Sequence, residues 1–258
     1  MTAGYVPPAL FVNWQQESTR QIFPVGRLIA LPDGGYEFAY IAAAKEAAAA
    51  GFTPFVAFPS FDDVYRSSEL PAFFKNRVLQ PGRPDYPQHL EELGLGATSA
   101  TPVDILSRTG GRRVTDPLEV FAEMVPASGE DRLETYFFAR GIRHYPGAED
   151  AVKSLSPGDL LKLVPEPNNE HNSKAVLLSC TDNRPVGYVP DYLADDLSSL
   201  LSTDPSLLVS VVRVNPAPSP SQQRLLCRMT VAPTATRPHR GPRFLPISST
   251  ATNLMGGA

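Results

Sequence analysis

Proline limits the secondary structure that this chain can form. It occupies 27 of the 258 positions, about twice its usual share. Because proline fixes φ and has no backbone N–H, it interrupts helices and central strands. We therefore expect short helices, short strands and many loops. With 42% apolar or aromatic residues and 19% charged residues, the chain has enough apolar side chains for one large domain or two ordinary ones.

The apolar runs and the cysteines indicate in which compartment the protein works. No apolar run reaches the roughly 18 to 20 residues that a membrane-spanning helix needs. The first residues, MTAGYVPPAL, lack the basic region and apolar stretch of a signal peptide. The sequence therefore predicts a soluble, cytoplasmic protein with no membrane partner. The two cysteines, Cys180 and Cys227, lie in apolar runs, which excludes a disulfide framework and predicts buried thiols.

Charge is distributed unevenly along the chain. Residues 1–130 carry 10 basic and 15 acidic side chains, residues 131–232 carry 10 and 12, and residues 233–258 carry 3 and 0. Broad binding to duplex DNA relies on a large positive excess, so any nucleic-acid site in the first two segments should be local. The last segment has too few large apolar residues to fold alone and predicts a flexible, mildly basic tail.

The first half of the chain predicts a mixed α/β domain at residues 1–130. Residues 22–31 predict a strand, PDGG at 32–35 a turn, and residues 36–50 an alanine-rich helix that ends before Gly51. The prolines of residues 52–59 favour an irregular or edge strand. Three further segments predict short helices from apolar spacing or from Pro and Asp in their first turns: 69–79, 84–95 and 102–108.

Several motifs of this half resemble those of a known family. The segments are YEFAYI, FPSF, LPAFFKNRV, RPDYPQHLEELGL and TPVDILSRTGG. Over about residues 20–125 they resemble the N-terminal subdomain of HipA-type toxin kinases. The kinase core, with its Gly-rich loop, catalytic Asp and metal-binding Asp, does not follow, so we expect no kinase activity. This subdomain also occurs as the separate small subunit of three-part HipA-like toxin systems. The resemblance therefore implies that residues 20–125 dock onto a kinase encoded by another gene.

The second half predicts a small β-barrel at residues 131–232. Short β segments follow one another at regular spacing, with one helix, Tyr192 to Leu201, between the fourth and fifth. This arrangement is typical of an OB-like barrel. The predicted strands are 135–142, 159–165, 174–180, 184–190, 207–214 and 224–231. The expected fold class is thus α+β: a HipA-N-like domain, an OB-like barrel and a tail at 233–258.

Three ordered motifs of the second half resemble those of the HIRAN domain. They are GIRHYPG, SPGDLLKLVPEPNNEHNSKAVLL and PVGYVPDYLADDLSSLL, and the resemblance covers about residues 134–232. It implies binding to the 3′ end of single-stranded DNA and no catalytic residues. It also implies roles for Arg143 as the residue that grips phosphate, for His144 as the ring that stacks on a terminal base, and for Tyr145 beside them.

The resemblance extends to residues after the second strand of the barrel. His171 and Asn172 take the places of an aromatic residue and of an Asp that accepts from the terminal 3′ hydroxyl. Lys174 and Tyr188 complete the expected DNA-binding set. An Asn still accepts from a hydroxyl, but His144 stacks less well than Tyr, and Asp191 stands where the family often has Lys or Arg and would repel phosphate.

Other interpretations of these residues remain open. Tyr145 and Tyr188 are also compatible with core positions whose hydroxyls are hydrogen-bonded, and Arg143 with a solvated surface charge. Two asparagines, Asn168 and Asn169, are compatible with a role only in building the turn between strands.

Other chemistry has little support in the sequence. The four histidines lack zinc-binding spacing, so we expect no metal site and no cofactor. The segment SRTGGRR at 107–113 lacks the end of a phosphate loop. Its arginines, Arg108, Arg112 and Arg113, are compatible with a phosphate contact or with an ordinary basic loop. No nucleophile elbow or other hydrolase motif is present, so we expect a protein that is not an enzyme.

The sequence leads to two functional hypotheses. The first is a bacterial DNA-binding adaptor or sensor that recognises single-stranded DNA 3′ ends and couples this to a HipA-like kinase toxin or another defence protein, as in toxin-antitoxin or anti-phage systems. The second is a non-catalytic interaction subunit, similar to an antitoxin, whose barrel no longer binds DNA.

Overall fold

The computed structural model describes residues 8–233, 238–248 and 251–253, which form a mixed α+β fold dominated by sheet. The helices are α1 Ala44–Ala49, α2 Ala72–Lys75, α3 Tyr86–Glu92, α4 Pro102–Thr109, α5 Ala148–Lys153 and α6 Asp191–Thr203. The strands are β1 Leu10–Gln15, β2 Ile22–Ala30, β3 Tyr36–Tyr40, β4 Val64–Ser67, β5 Leu118–Ala122, β6 Val125–Pro126, β7 Leu133–Phe138, β8 Leu160–Pro165, β9 Val176–Ser179, β10 Pro185–Tyr188, β11 Leu208–Val214, β12 Leu225–Val231 and β13 Ala251–Asn253.

The chain divides into two compact units. Of the described residues, the N-terminal unit comprises 8–87, 97–123, 239–248 and 251–253, and the C-terminal unit comprises 88–96, 124–233 and 238. The chain therefore passes between units more often than in the predicted division into 1–130, 131–232 and 233–258. Within the described residues, no helix is long and apolar enough to cross a bilayer.

The N-terminal unit is built on a six-stranded sheet of order β13-β4-β3-β2-β1-β5. Its pairs are antiparallel except β13 with β4, which is parallel. Aromatic rings fill the core beside this sheet. Phe38 stacks on Phe58 with ring centroids 4.1 Å apart, and the Tyr40 hydroxyl donates to the Phe58 carbonyl at 2.8 Å.

The helix predicted at residues 36–50 is wrong in its first part. Residues 36–40 form strand β3, and α1 spans Ala44–Ala49 only. The PDGG turn pairs β2 with β3, opposing Phe38 to Leu28 and Tyr40 to Gly26. Gly26 is required beside the Phe38 ring, because an added Cβ would lie 2.5 Å from Phe38 Cε2. Tertiary burial of the β3 aromatics thus overrides the helical spacing of Phe38 and Ile41.

Two neighbouring predictions also differ from the structure. Residues 52–59 form a loop rather than a strand, because the prolines remove donors that a ladder needs. The helix predicted at 69–79 shortens to the four residues of α2. By contrast, α3 and α4 lie within or close to the segments predicted at 84–95 and 102–108.

The expected flexible tail also differs where it is described. His239 is 5% exposed, and its ring centroid lies 4.7 Å from that of Phe121 in the N-terminal unit. Strand β13 extends the sheet of the same unit. Composition alone missed this, because a few aromatic anchors on an existing surface order a segment that has no core of its own. Tail residues 234–237, 249–250 and 254–258 lie outside the described residues.

The C-terminal unit contains a seven-stranded antiparallel sheet of order β10-β9-β8-β11-β12-β7-β6. Strands β7 to β12 correspond to the six predicted strands, and α6 lies between β10 and β11 as predicted. The unit buries Cys180 and Cys227 as free thiols, which confirms that prediction. Burial raises the pKa of the Cys227 thiol.

The sheet of this unit does not close into a barrel, which corrects the predicted architecture. The ladder ends at β10 and β6. In the described part of the chain, the backbone just after β7 pairs with β10 through an isolated bridge between Arg140 and Tyr188 rather than through a continuous ladder. Strand β10 has four residues and begins with Pro185, which has no N–H to donate to a longer ladder.

Candidate nucleic-acid interface

A tight turn after β7 presents two of the predicted DNA-binding side chains. Gly141, with φ of +68°, leads into a 3-10 turn over Ile142–His144. Ile142 is 2% exposed and anchors the turn in the core, whereas Arg143 and His144 are exposed. Arg143 makes no ion pair or hydrogen bond with a described residue. A buried anchor thus holds an available guanidinium and an imidazole on a short, well-defined turn.

The loop after β8 is organised by Asn169. Its backbone N–H donates to the Glu166 carbonyl at 3.0 Å. Its side-chain Oδ1 accepts from the backbone N–H of His171 at 3.0 Å and of Asn172 at 3.2 Å. This is the turn-building role that the sequence left open for this residue. The loop places His171 outside, with its side chain exposed.

Tyr145, Tyr188 and Glu166 meet in one hydrogen-bond network. The two tyrosine hydroxyls lie 2.7 Å apart. The Tyr145 hydroxyl donates to Glu166 Oε1 at 3.1 Å, and the Tyr188 hydroxyl donates to Glu166 Oε2 at 2.8 Å. Asn169 Nδ2 donates to the same Oε2 at 2.9 Å. The network joins the turn after β7, the loop after β8 and the end of β10.

The two tyrosines are partly buried with hydrogen-bonded hydroxyls, and a DNA-binding role for them stays a prediction. Each ring is half-buried, and Tyr145 packs against the core of the C-terminal unit. Their centroids lie 5.8 Å apart. Gly141 lies close to Tyr188, because an added Cβ there would be 3.1 Å from Tyr188 Cδ2 and 3.6 Å from His144 Cδ2. His144 is therefore a neighbour of the tyrosine pair. Its imidazole ring is exposed, whereas the rings of Tyr145 and Tyr188 are held by hydrogen bonds.

The network shifts the ionisation of its members. Burial tends to raise the pKa of Glu166, but hydrogen bonds from Asn169, Tyr188 and Tyr145 outweigh it and hold that pKa below its ordinary value. Burial and the hydrogen bonds with Tyr145 and Glu166 raise the pKa of Tyr188. At neutral pH the carboxylate is ionised and the phenols are protonated, so two hydroxyl protons are shared among the three contacts that join Tyr145, Tyr188 and Glu166.

Replacing Glu166 by Gln is expected to lower the free energy of unfolding at pH 7 by about 1–2 kcal/mol. The amide keeps the shape but turns one acceptor into an NH₂ group that faces other donors. Because folding lowers the pKa of Glu166, its contribution is complete above the ordinary value of 4.5 and declines as the pH falls below it. Urea unfolding of both proteins from pH 7 to pH 3 measures the difference, which should shrink toward zero. A constant difference would contradict the ionised network.

Asn172 and Lys174 are both engaged with acidic side chains. Asn172 Nδ2 donates to Asp191 Oδ1 at 2.9 Å, and Asn172 Oδ1 accepts from the Lys174 backbone N–H at 2.9 Å. Lys174 Nζ lies 3.1 Å from Asp195 Oδ1. Asp191 is in the first turn of α6, where the helix dipole favours a negative charge. Asn172 keeps one acceptor lone pair for a ligand, while the charge of Lys174 is partly neutralised.

The structure thus brings the predicted residues together in two groups. One joins the turn after β7 to Tyr188, and the other joins the loop after β8 to α6. Sequence reasoning missed Glu166 as the centre of the first group. The sequence signal that could have indicated Glu166 was its position: it follows an apolar strand and precedes a proline and the turn-forming Asn168 and Asn169.

The basic segment at 107–113 lies in the N-terminal unit. Gly110 and Gly111 have φ of +73° and +54°, and Arg112 Nη1 lies 3.8 Å from Glu119 Oε2. Arg113 forms an isolated bridge with Asp116. A phosphate contact by these arginines stays a prediction.

Comparison with known proteins identifies the domain that carries the site. A family model for the HIRAN domain matches residues 133–232. This segment is therefore a HIRAN domain, which suggests a role in DNA binding. The match begins after residue 132, so the resemblance of residues 20–125 to the HipA subdomain stays a prediction.

Two solved structures are similar to this chain. The HIRAN domain of human HLTF is 18% identical, with 38% of this chain and 74% of that chain covered and a TM-score of 0.30. A protein from Lactobacillus plantarum is 16% identical, with 40% and 91% covered and a TM-score of 0.30. No curated protein matches the chain.

Proposed function

We propose that the HIRAN domain binds the 3′ end of single-stranded DNA and that the protein is a non-catalytic DNA-binding adaptor or sensor. The observation that supports this is the turn after β7. It holds Arg143, which pairs with no residue in the described part of the chain, and the exposed His144 beside the tyrosine pair. This combination of a cation and adjacent rings suits a phosphate next to a base.

Each group has a defined task in this proposal. Arg143 grips a phosphate through its planar fork. His144 stacks on the terminal base, and the exposed His171 adds a second ring at the rim. The remaining acceptor lone pair of Asn172 Oδ1 accepts a hydrogen bond from the terminal 3′ hydroxyl. The network of Glu166 holds the tyrosines in place.

The charge around the site favours a strand end with few phosphates. Asp191 and Asp195 occupy the first two turns of α6, and Glu166 and Glu170 lie in the loop after β8. These carboxylates repel phosphates that approach from that side. A 3′ phosphate would place additional negative charge next to Asp191, so the site should select a free hydroxyl.

Fluorescence anisotropy with labelled single-stranded DNA tests this proposal. The same oligonucleotide is offered with a free 3′ hydroxyl, with a 3′ phosphate, and with the 3′ end buried in a duplex so that only a 5′ end is free. We expect the 3′ phosphate to weaken binding at least tenfold, equivalent to about 1.4 kcal/mol. The 5′-only substrate should bind as weakly.

The outcomes separate the two functional hypotheses. Equal affinity for the three substrates would contradict end recognition. No binding to any of them would favour the second hypothesis, a protein-interaction subunit. The observation behind that alternative is that acidic residues already engage Asn172 and Lys174.

Coupling to a HipA-like kinase or another defence protein is a further part of the proposal. It rests on the sequence resemblance of residues 20–125 alone. Co-expression with a HipA-like kinase, chosen from the gene neighbourhood if one is encoded there, followed by size-exclusion chromatography, tests it. A stable complex is expected, and separate elution would contradict it.

A further inference from the structure

Residues His239–Ile247 form a strap on the N-terminal unit. Its backbone bonds to the chain around the end of β3 and the start of α1. The Leu245 and Arg243 carbonyls accept from the backbone N–H of Ala42 at 2.9 Å and of Ala43 at 3.0 Å. The Ile247 N–H donates to the Tyr40 carbonyl at 2.9 Å. The strap is thus held partly through its main chain, and its middle, Pro242–Phe244, forms a 3-10 turn.

Aromatic anchors fix the first half of the strap. The His239 centroid lies 5.8 Å from Phe11 and 4.7 Å from Phe121, which are side chains of β1 and β5. Phe244 of the strap lies 5.3 Å from Phe11 and 5.1 Å from His239. Two rings of the strap and two rings of the sheet therefore form one cluster.

Two ion pairs reinforce these anchors. Arg243 contacts Glu46 of α1 with both ends of its fork, Nε to Oε1 at 3.1 Å and Nη2 to Oε2 at 2.7 Å. Arg240 pairs with Glu123, whose side chain is only 8% exposed. Arg27 Nη2 lies 3.5 Å from the same carboxylate. With the strap in place, Glu123 is nearly buried and has two cationic partners, one of which, Arg240, comes from the strap. The acidic groups Glu46 and Glu123 therefore favour a basic segment at this surface.

The outer surface of the strap is open. Leu245 is 58% exposed, and residues 240–243 are all exposed. The strap is therefore attached by a few anchors rather than enclosed in a core. A segment of this kind opens at a lower free-energy cost than a core strand.

We propose that the N-terminal unit carries a peptide-binding groove that the strap fills in cis. Phe11, Phe121, Glu46 and Glu123 line it, together with the main chain of residues 40–43. The partner in trans is a protein with an exposed segment that carries two arginines three residues apart and an aromatic anchor, as HRGPRFLPI does here. Such a partner competes with the strap, so the strap makes partner binding conditional.

A labelled peptide tests the groove in the chain of 258 residues. The probe is a fluorescein-labelled peptide of residues 238–248, PHRGPRFLPIS. A short tether gives the strap an effective concentration on the order of millimolar, so the wild-type chain should bind the probe weakly. The variant Arg240→Glu/Arg243→Glu should release the strap and bind the probe at least tenfold more tightly.

Two controls identify the groove as the binding site. Adding Glu46→Gln to the opened variant should weaken probe binding several-fold, because the bidentate partner of Arg243 is lost. A probe with both arginines replaced by Glu should not bind. If the charge reversal disturbs folding, as judged by circular dichroism, Arg240→Gln/Arg243→Gln serves as the opened variant.

Two results would overturn the proposal. One is that the opened variant is folded but binds no probe even when one of the two components is present at a 100-fold molar excess over the other. The other is equal probe binding by the wild-type and opened chains, which would place the peptide elsewhere on the molecule. Neither result depends on DNA binding by the HIRAN domain.

Discussion

Replacing Arg143 by Ala is expected to weaken binding of a single-stranded DNA 3′ end by about 10- to 100-fold, the equivalent of one charge-assisted hydrogen-bonded contact. The side chain is exposed and makes no hydrogen bond or ion pair with a described residue that folding would lose. The free energy of unfolding should therefore stay within about 0.5 kcal/mol of the wild type. Anisotropy titrations and urea unfolding measure the two quantities.

The salt dependence of binding gives a second measure of the same contact. Each phosphate contact of a single strand contributes about 0.7 to the slope of log K against log salt. Removing Arg143 should reduce the slope by that amount. Arg143→Lys should restore most of the slope but less of the affinity, because an ammonium lacks the planar fork.

Arg184→Ala is the matched control for this experiment. Arg184 is an exposed arginine of the same unit, at the turn between β9 and β10, and it pairs with Asp182 at 2.8 Å. Its removal lowers the net charge equally but should change the affinity less than twofold. A similar loss in both variants would show that overall charge, rather than the turn after β7, governs binding.

Local patterns predicted the strands of the C-terminal unit well, and the reason is physical. Strands β7, β8, β11 and β12 are apolar runs bounded by turn residues, and few other structures fit such runs. The helix at 36–50 failed because Phe38 and Ile41 satisfy the helical period while the aromatic residues of β3 also satisfy the strand period. Only the pairing of β3 with β2, which is a tertiary interaction, decides between helix and strand for residues 36–40.

The sequence predicted the residues of the turn after β7 but not Glu166, which lies at the centre of the hydrogen-bond network. Arg143, His144 and Tyr145 form a contiguous motif, so the resemblance located them. Glu166 joins residues that are 21 and 22 positions away along the chain. Its role depends on how β8 and β10 are placed, and no local spacing encodes that. The engagement of Asn172 by Asp191 across 19 positions was hidden for the same reason.

Replacing Gly187 by Ala is expected to lower the free energy of unfolding by about 2–4 kcal/mol. Gly187 has φ of +128°, which a side chain rarely adopts, and an added Cβ would lie 2.7 Å from the Arg140 carbonyl oxygen and 3.2 Å from Ile142 Cγ1. The backbone of β10 must then move away from the bridge, in which Arg140 and Tyr188 exchange hydrogen bonds of 2.8 and 2.7 Å. Urea unfolding followed by circular dichroism measures the loss.

Gly158→Ala separates the two causes of this loss. Gly158 lies in the turn before β8 with φ of +94° and has nothing within 4 Å of an added Cβ. It therefore reports backbone strain alone, and we expect a loss of about 1 kcal/mol. Equal losses in the two variants would contradict the close approach at the bridge. Because the bridge also positions Tyr188 beside Tyr145 and His144, Gly187→Ala should reduce DNA-end affinity under conditions in which it is still folded, whereas Gly158→Ala should leave that affinity unchanged.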